Sequence, residues 1–406
     1  MEPKFVIPPI VSKLFSVDAL SPPPGIKRQA PKAMSPYSVP IDSGTSTASS
    51  PFHSITPDPT SFPGLQFLET LLCDPDECSS SSSASCSPAD ALTFEDWPAQ
   101  SQSTIDVNTY CKSKSGSRRL QQMIAKSQPS DIEGIIASVI PVIGDLMTHK
   151  YGNYVCQSLA QSCSSAQRLQ LLAAMEPSLP AISKNGYGTH ALQTFISMAS
   201  MPQEQEIYRR AFEMCVYELS RHDKAGHVLQ KLAVTLPRKD FIVNAIVRHP
   251  MQLCCDKLGL CLVKKCIEDA RVRDALCPHL LELAQDPFGN YAVQVLLDSW
   301  GPQVFRAIAS VFAPNVVQLS MQKFSSNVLE KCMRRMGLCS LLAQSIMKQD
   351  QVKSMLSSNY GCYVLKAALE TCDKETLIRL RLLVSTTVPQ LTNRKLRDRW
   401  NELLSL

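Results

Sequence analysis

A chain of 406 residues holds two or three ordinary domains, or one extended repeat array with a tail. Its 16 cysteines form no CxxC pair and no Cys/His zinc spacing, so they read as reduced thiols of a cytosolic protein. No apolar run reaches membrane-spanning length, and the start MEPKFVIPPIVSKLF is too broken by proline for a secretory signal. The net charge of +5 is unevenly spread. Residues 1–104 carry 5 Lys/Arg and 11 Asp/Glu, and the remainder 36 and 25, for a net −6 against +11. A basic body behind an acidic tail fits a polyanion partner, although a generic basic surface would carry the same excess.

Residues 1–103 hold 16 of the 28 prolines and the serine run Ser79–Ser83. Such a stretch buries too little apolar surface to offset chain entropy, which predicts a disordered, acidic Pro/Ser-rich tail. Ser21, Ser35, Ser50, Thr56 and Ser87 each precede a proline, a pattern open to proline-directed kinases but ordinary in any such tail. Within Gly64–Asp74, Leu65, Leu68, Leu71 and Leu72 recur at helical spacing. Two readings stand there: a short helix that docks on a partner, or a cap flanking the helical region that begins near Thr104.

From Thr104 the pattern becomes helical and then repeats. Pentads SRRLQ, NYVCQ, THALQ, GHVLQ, LCLVK, NYAVQ, SNVLE and CYVLK end at Gln121, Gln157, Gln193, Gln230, Lys264, Gln294, Glu330 and Lys366. Their spacing is 36, 36, 37, 34, 30, 36 and 36 residues. Positions three and four are apolar throughout except Arg119, so each pentad sits on a helix with one core face. A period near 36 marks a solenoid, whose units bury their apolar faces only by stacking on neighbours. Gly116, Gly152, Gly188, Gly259, Gly289 and Gly361 precede their pentads and read as turn glycines, with Ala225 and Ser325 in that place in repeats four and seven. The 30-residue step predicts a shortened loop or helix between repeats five and six. After Lys366, apolar periodicity continues beside Arg379, Arg381, Arg394, Lys395, Arg397 and Arg399, as a terminal cap requires.

The stretch QKFSSNVLEKCM (Gln322–Met333) shows what one pentad offers. Ser326 and Glu330, four apart, share a helix face with Asn327 beside them. Val328, Leu329, Cys332 and Met333 fall on the other side. An ionised Glu only accepts hydrogen bonds, which suits the N1–H and N2–H₂ of guanine. Recurrence separates this helix from an ordinary amphipathic one.

KYGNYVCQ (Lys150–Gln157), DPFGNYAVQ (Asp286–Gln294) and KFSSNVLEKC (Lys323–Cys332) resemble the repeats of the Pumilio/FBF (PUF) family of RNA-binding proteins. The resemblance covers about three quarters of the chain. It implies an all-α, right-handed curved α-solenoid of eight three-helix repeats over 104–388, with a C-terminal cap at 389–406. It also implies single-stranded RNA lying antiparallel to the protein, one base per repeat. On that reading Ser326 and Glu330 select guanine, Asn153/Gln157 and Asn290/Gln294 uracil, and Ser117/Gln121 adenine. Arg118, Tyr154, His190, His227, Tyr291, Asn327 and Tyr363 then stack on bases. Four repeats depart from the pattern. Thr189/Gln193 keeps a hydroxyl and so adenine. Gly226 leaves only Gln230 and His227 in repeat four. Leu260, Cys261 and Lys264 make repeat five a spacer, and Cys362/Lys366 replace Asn and Gln in repeat eight. The implied site is 5′-(U)GU-n-n-(A)UA, and the weak centre is similar to the nematode FBF-like branch.

The resemblance further implies binding to mRNA 3′ untranslated regions and post-transcriptional repression through deadenylase or translation factors, by a cytoplasmic monomer without cofactor or metal. A partner loop is expected at Arg334–Ser340, exposing Met336 and Leu338 beside two arginines. Two alternatives are weaker. A protein-binding scaffold of the armadillo or HEAT kind would not set SNxxE between NYxxQ pentads in register, and a ribosome-biogenesis relative would favour a degenerate basic face. An enzyme is not expected, since the seven His are dispersed and no nucleophile, metal or phosphate-loop motif appears.

Overall fold

The computed structural model describes residues 107–405. The expected tail and its Gly64–Asp74 helix lie outside them. Every regular element among the described residues is helical, and they build the α-solenoid that the repeat period predicts.

Repeat two shows the unit. An outer helix, Glu133–Val139, ends in the 3₁₀ turn Ile140–Val142; a short helix, Ile143–Met147, follows, and then the pentad helix Gly152–Ser162. Pro141 sits inside that turn because it lacks the N–H that would continue the α ladder. Pro177, Pro278, Pro314 and Pro389 hold the same place in Glu176–Ser178, Cys277–His279, Ala313–Asn315 and Val388–Gln390. The pentad helices lie side by side in sequence order, each in contact with the next.

Their inward face is the core. Positions three and four of every pentad from repeat two onward are buried, from Val155 and Cys156 to Val364 and Leu365. Leu120 is buried in repeat one, and Arg119 is exposed. Each buried Leu or Val contributes roughly 1.5–3 kcal/mol relative to an exposed one, so stacking rather than local propensity holds the array.

The glycines before the pentads have a different role from the one expected. Gly152, Gly289 and Gly361 are the first residues of their helices, and among the described glycines only Gly301 has a positive φ. What they supply is room. A Cβ on Gly289 would stand 2.9 Å from the Leu283 carbonyl oxygen, and one on Gly188 2.4 Å from that of Ile182. Ser325 solves the same contact by donating its hydroxyl to the Leu319 carbonyl, six residues back, at 2.7 Å.

The short step between repeats five and six is shared by two elements: the pentad helix Lys257–Lys265 ends one residue after its pentad where Gly152–Ser162 runs five beyond Gln157, and the outer helix that follows is short as well. The outer helix Ala270–Leu276 has 7 residues where Ser165–Met175, Pro202–Phe212 and Pro302–Phe312 have 11. Trp300 closes that joint, donating Nε1–H to the Ile267 carbonyl at 2.7 Å beneath the Arg273 guanidinium.

Repeats three and four are joined by a buried ion pair. Arg168 Nε lies 2.6 Å from Glu204 Oε1, and both side chains are at most 5% exposed. Glu204 Oε2 also accepts from the Ser200 and Met201 amides, each at 2.8 Å. Burial alone would raise the Glu204 pKa; the Arg168 hydrogen bond and the two amides outweigh it and hold the carboxyl below its ordinary value. Beyond repeat eight, Lys374–Thr387 and Arg394–Ser405 pack together and bury Trp400.

Candidate nucleic-acid interface

All eight pentads occupy the early turns of their helices, in one row. In every repeat but the seventh, where Gln322 accepts from the Ser325 hydroxyl instead, the start is set by a polar residue four positions ahead of the pentad. Asp286 Oδ1 accepts from the amides of Phe288 at 2.8 Å and Gly289 at 2.7 Å. Asp256, Asn185 and Ser358 do the same in repeats five, three and eight. Ser113 accepts from Gly116, and His149 and His222 accept through Nδ1. Burial, then Lys112 and Lys150, lower the His149 pKa, which favours the neutral ring that can accept. These caps satisfy amides that the helix leaves open. Sequence reasoning missed them, although the constant offset of four was there to find.

The first pentad position proves to be a core position. Ser117, Asn153, Thr189, Asn290 and Ser326 are all buried, as are Gly226 and Leu260; Cys362 is half-buried. Asn153 donates Nδ2–H to the His149 carbonyl at 2.8 Å, and its Oδ1 accepts from Gln157 Nε2 at 2.9 Å. Asn290 repeats this with Asp286 at 2.9 Å and Gln294 at 3.0 Å. Ser117 donates to the Tyr151 carbonyl at 2.8 Å and accepts from Gln121 at 2.9 Å. The first residue therefore spends its donor on backbone and its acceptor on fixing the fifth. Gln121 and Gln157 present partly exposed edges, whereas Gln294 is itself buried at 4% exposure. Thr194, from the next repeat, adds a hydroxyl contact to Gln157 Oε1 at 3.4 Å.

The departures differ in geometry as well as type. The Thr189 hydroxyl donates to the Ser183 carbonyl at 2.7 Å, pointing back into the solenoid. Leu260 fills the buried slot with hydrocarbon. Lys366 reaches Glu370 at 3.8 Å, and the Cys362 thiol points to the Asn359 carbonyl. A cavity of about 510 Å³ lies beside Lys366, Glu370, Arg381, Arg399 and Glu402.

At position two, Arg118, His190 and Asn327 are exposed, and Tyr154 and Tyr363 expose about half their surface; His227 and Tyr291 are half-buried. Flat groups thus stand next to each presented edge, the arrangement a stacked base requires. Burial, with Lys224 and His190 nearby, lowers the His227 pKa, so that ring is neutral at neutral pH. Two more exposed aromatics, Tyr187 and Tyr360, stand two residues ahead of their pentads; sequence reasoning passed over them.

Glu330 faces the row beside Ser326 and Asn327, while Val328, Leu329, Cys332 and Met333 are fully buried opposite. Its Oε1 accepts from Arg334 at 2.8 Å. That contact bears on the expected partner loop. Arg334–Ser340 is no loop: helix Met336–Ala343 starts two residues after helix Ser325–Met333 ends. Leu338 is buried rather than exposed, Arg334 bridges Glu330 and Glu370, and Arg335 pairs with Asp298. Leu338 and Cys339 are drawn into the core where repeat eight stacks on repeat seven.

A family profile for the Pumilio-family RNA binding repeat matches residues 143–175, 251–274, 279–310, 315–336 and 357–380. A Pumilio domain-containing protein of Schizosaccharomyces pombe is 30% identical over 83% of this chain and 49% of its own length. Pumilio homolog 12 of Arabidopsis thaliana is 30% identical over 46% of this chain and 33% of its own. The chain thus spans less than half the length of these relatives. Among solved structures, the Puf4 RNA binding domain bound to an HO endonuclease RNA 3′ UTR recognition sequence matches with TM-score 0.65 and 26% identity, over 71% of this chain and 95% of that one. The RNA-binding domain of yeast Puf5p bound to AAT2 RNA matches with TM-score 0.67 and 21% identity, over 78% and 98%.

Proposed function

Starting from this chain's membership of the Pumilio (PUF) family of repeat proteins, we propose that it binds single-stranded RNA sequence-specifically, each reading repeat facing one base. The observation that carries this is the row itself. Repeats one and two each present a partly exposed Gln held by a buried first residue, with an exposed planar group beside it, and repeat six keeps the same locked pair with Gln294 buried beside a half-buried Tyr291. Stacking on such groups is worth roughly 1–3 kcal/mol per base, and the fixed amides supply the pattern that tells bases apart.

Glu330 supports guanine opposite repeat seven, the two Asn/Gln pairs uracil, and Ser117/Gln121 adenine, for an element of the form 5′-(U)GU-n-n-(A)UA. Repeats four and five leave the centre loosely defined. Similarity to the Puf4 domain bound to a 3′ UTR recognition sequence supports an mRNA 3′ untranslated region as the target. Repression through recruited deadenylase or translation factors, by a cytoplasmic monomer without catalytic activity, completes the proposal. The described residues hold no cluster of His, Cys, Asp and Glu suited to a metal.

The test is selection from a randomised RNA pool with the full chain. Enrichment of a 5′-UGU element followed by a variable centre is the expected result. Recovery of no motif would overturn it in favour of a protein-binding scaffold.

A further inference from the structure

The arginine expected to face a partner faces the RNA row instead. One guanidinium nitrogen of Arg334 lies 2.8 Å from Glu330 Oε1, and the other lies 3.1 Å from Glu370 Oε2. Glu370 Oε1 is in turn 3.8 Å from Lys366 Nζ. Glu330, Arg334, Glu370 and Lys366 thus alternate in sign across two adjacent pentad helices, from the edge-presenting residue of repeat seven to that of repeat eight.

We propose that Arg334, anchored by Glu370, is a positioning residue that orients the Glu330 carboxylate for guanine and so sets the base selectivity of repeat seven. The inference rests on the reading of Glu330 as the guanine-facing residue. Guanine presents two N–H donors side by side, and a carboxylate receives both only when its plane is turned toward them. A glutamate on a helix surface has three free torsions, and ordering them on binding weakens the contact. The neighbouring first residue gives no such help here. Asn153 and Asn290 lock their glutamines, whereas the Ser326 hydroxyl is directed to the Lys323 carbonyl at 3.3 Å. Arg334 fills that role from the other side. It occupies one lone pair of Oε1 and leaves Oε2 and the second Oε1 lone pair for the base. It also sets a positive charge beside a carboxylate that must lie close to RNA phosphates.

A merely structural account exists: an i,i+4 pair with a cation at a helix C-terminus is mildly stabilising wherever it occurs. The cross-repeat bond to Glu370 lies outside that account, and the two accounts separate by what is measured. Affinities of the full chain are compared for three RNAs that differ only in carrying G, A or U opposite repeat seven. The expected result is that Arg334→Met lowers the preference for G about fivefold, Glu370→Gln about two- to threefold, and Arg334→Lys restores most of it, with melting temperatures little changed. An Arg334→Met protein with the parent's ratio overturns the proposal, whether all affinities fall together, as for a phosphate contact, or only the melting point falls. If Arg334→Met is poorly folded, a folded Glu370→Gln protein with an unchanged ratio overturns the bridge equally well. If the parent itself shows no preference for G, it is the reading of Glu330 that has failed.

Discussion

Repeats five and six share nearly every local feature. Asp256 and Asp286 cap their pentad helices, Gly259 and Gly289 give the same close approach, and Leu260 and Asn290 are equally buried at 2% and 1% exposure. In repeat six the buried residue holds Gln294 in place; in repeat five it has no polar atom with which to hold anything. The first pentad position therefore belongs to the core, and on the proposed reading base selectivity depends on what a core residue of that size does with its polar atoms.

The largest effect expected comes from turning repeat seven into repeat six. Ser326→Asn with Glu330→Gln replaces an acceptor-only edge with a locked amide, and the altered protein should prefer 5′-UUU over 5′-UGU. Base-edge pairs discriminate by roughly 1–3 kcal/mol, about ten- to a hundredfold. A folded double variant that still selects guanine would show Glu330 to be a solvated helix residue.

Rebuilding repeat five is the next test. Leu260→Asn with Lys264→Gln sets the Asn290/Gln294 pair on the Asp256 cap, and a preference of about tenfold for uracil should appear where the parent is indifferent. Leu260→Ala tests the other half of the comparison. It should cost about 2–5 kcal/mol of stability by opening a cavity and leave base preferences as they were. Strong discrimination opposite repeat five in the parent chain would break the comparison outright.

The glycines sharpen it further. Gly289→Ala should destabilise by about 1–3 kcal/mol, because the added methyl meets the Leu283 carbonyl at 2.9 Å and backbone must move. At Gly226 the nearest atom, the Ser220 carbonyl oxygen, is 3.3 Å away. There the alanine's helix propensity, worth about 1 kcal/mol, offsets the tighter fit, and melting curves should show little change. Smallest of all is the effect of salt. Single strands lose affinity with a slope of roughly −0.7 per phosphate neutralised, and a row dominated by stacking and edges engages few phosphates. A steep slope in a titration of binding against salt would favour the degenerate-affinity reading instead.

Period and pattern were enough to place every pentad on a helix and to separate Val328 and Leu329 from Glu330. They were enough because helical repeats bury one face per unit and the residues at fixed offsets must alternate accordingly. Contacts between units left weaker traces. Nothing in THALQ says that the Thr189 hydroxyl turns back to Ser183, since that depends on where the preceding short helix ends. RRMGLCS is expected to form a loop from the resemblance alone, yet the chain turns in two residues and Leu338 goes inward. The glycines were read as turn formers from residue type alone, when their cause is a carbonyl six residues back.

The buried Arg168–Glu204 pair bears on how such an array comes apart. A one-dimensional stack frays from its ends, and each junction opens only when the next unit has let go. Parting repeat three from repeat four would break a guanidinium–carboxylate pair now matched away from water, and the Glu204 carboxyl would lose the contact that holds it below its ordinary value. Fraying that begins in repeat one should therefore stall before that junction, and protection of amides from exchange should rise in a step at the outer helix of repeat three rather than along a smooth gradient. The pair acts as a latch near the leading edge, keeping repeat three ordered while the repeats before it open and close.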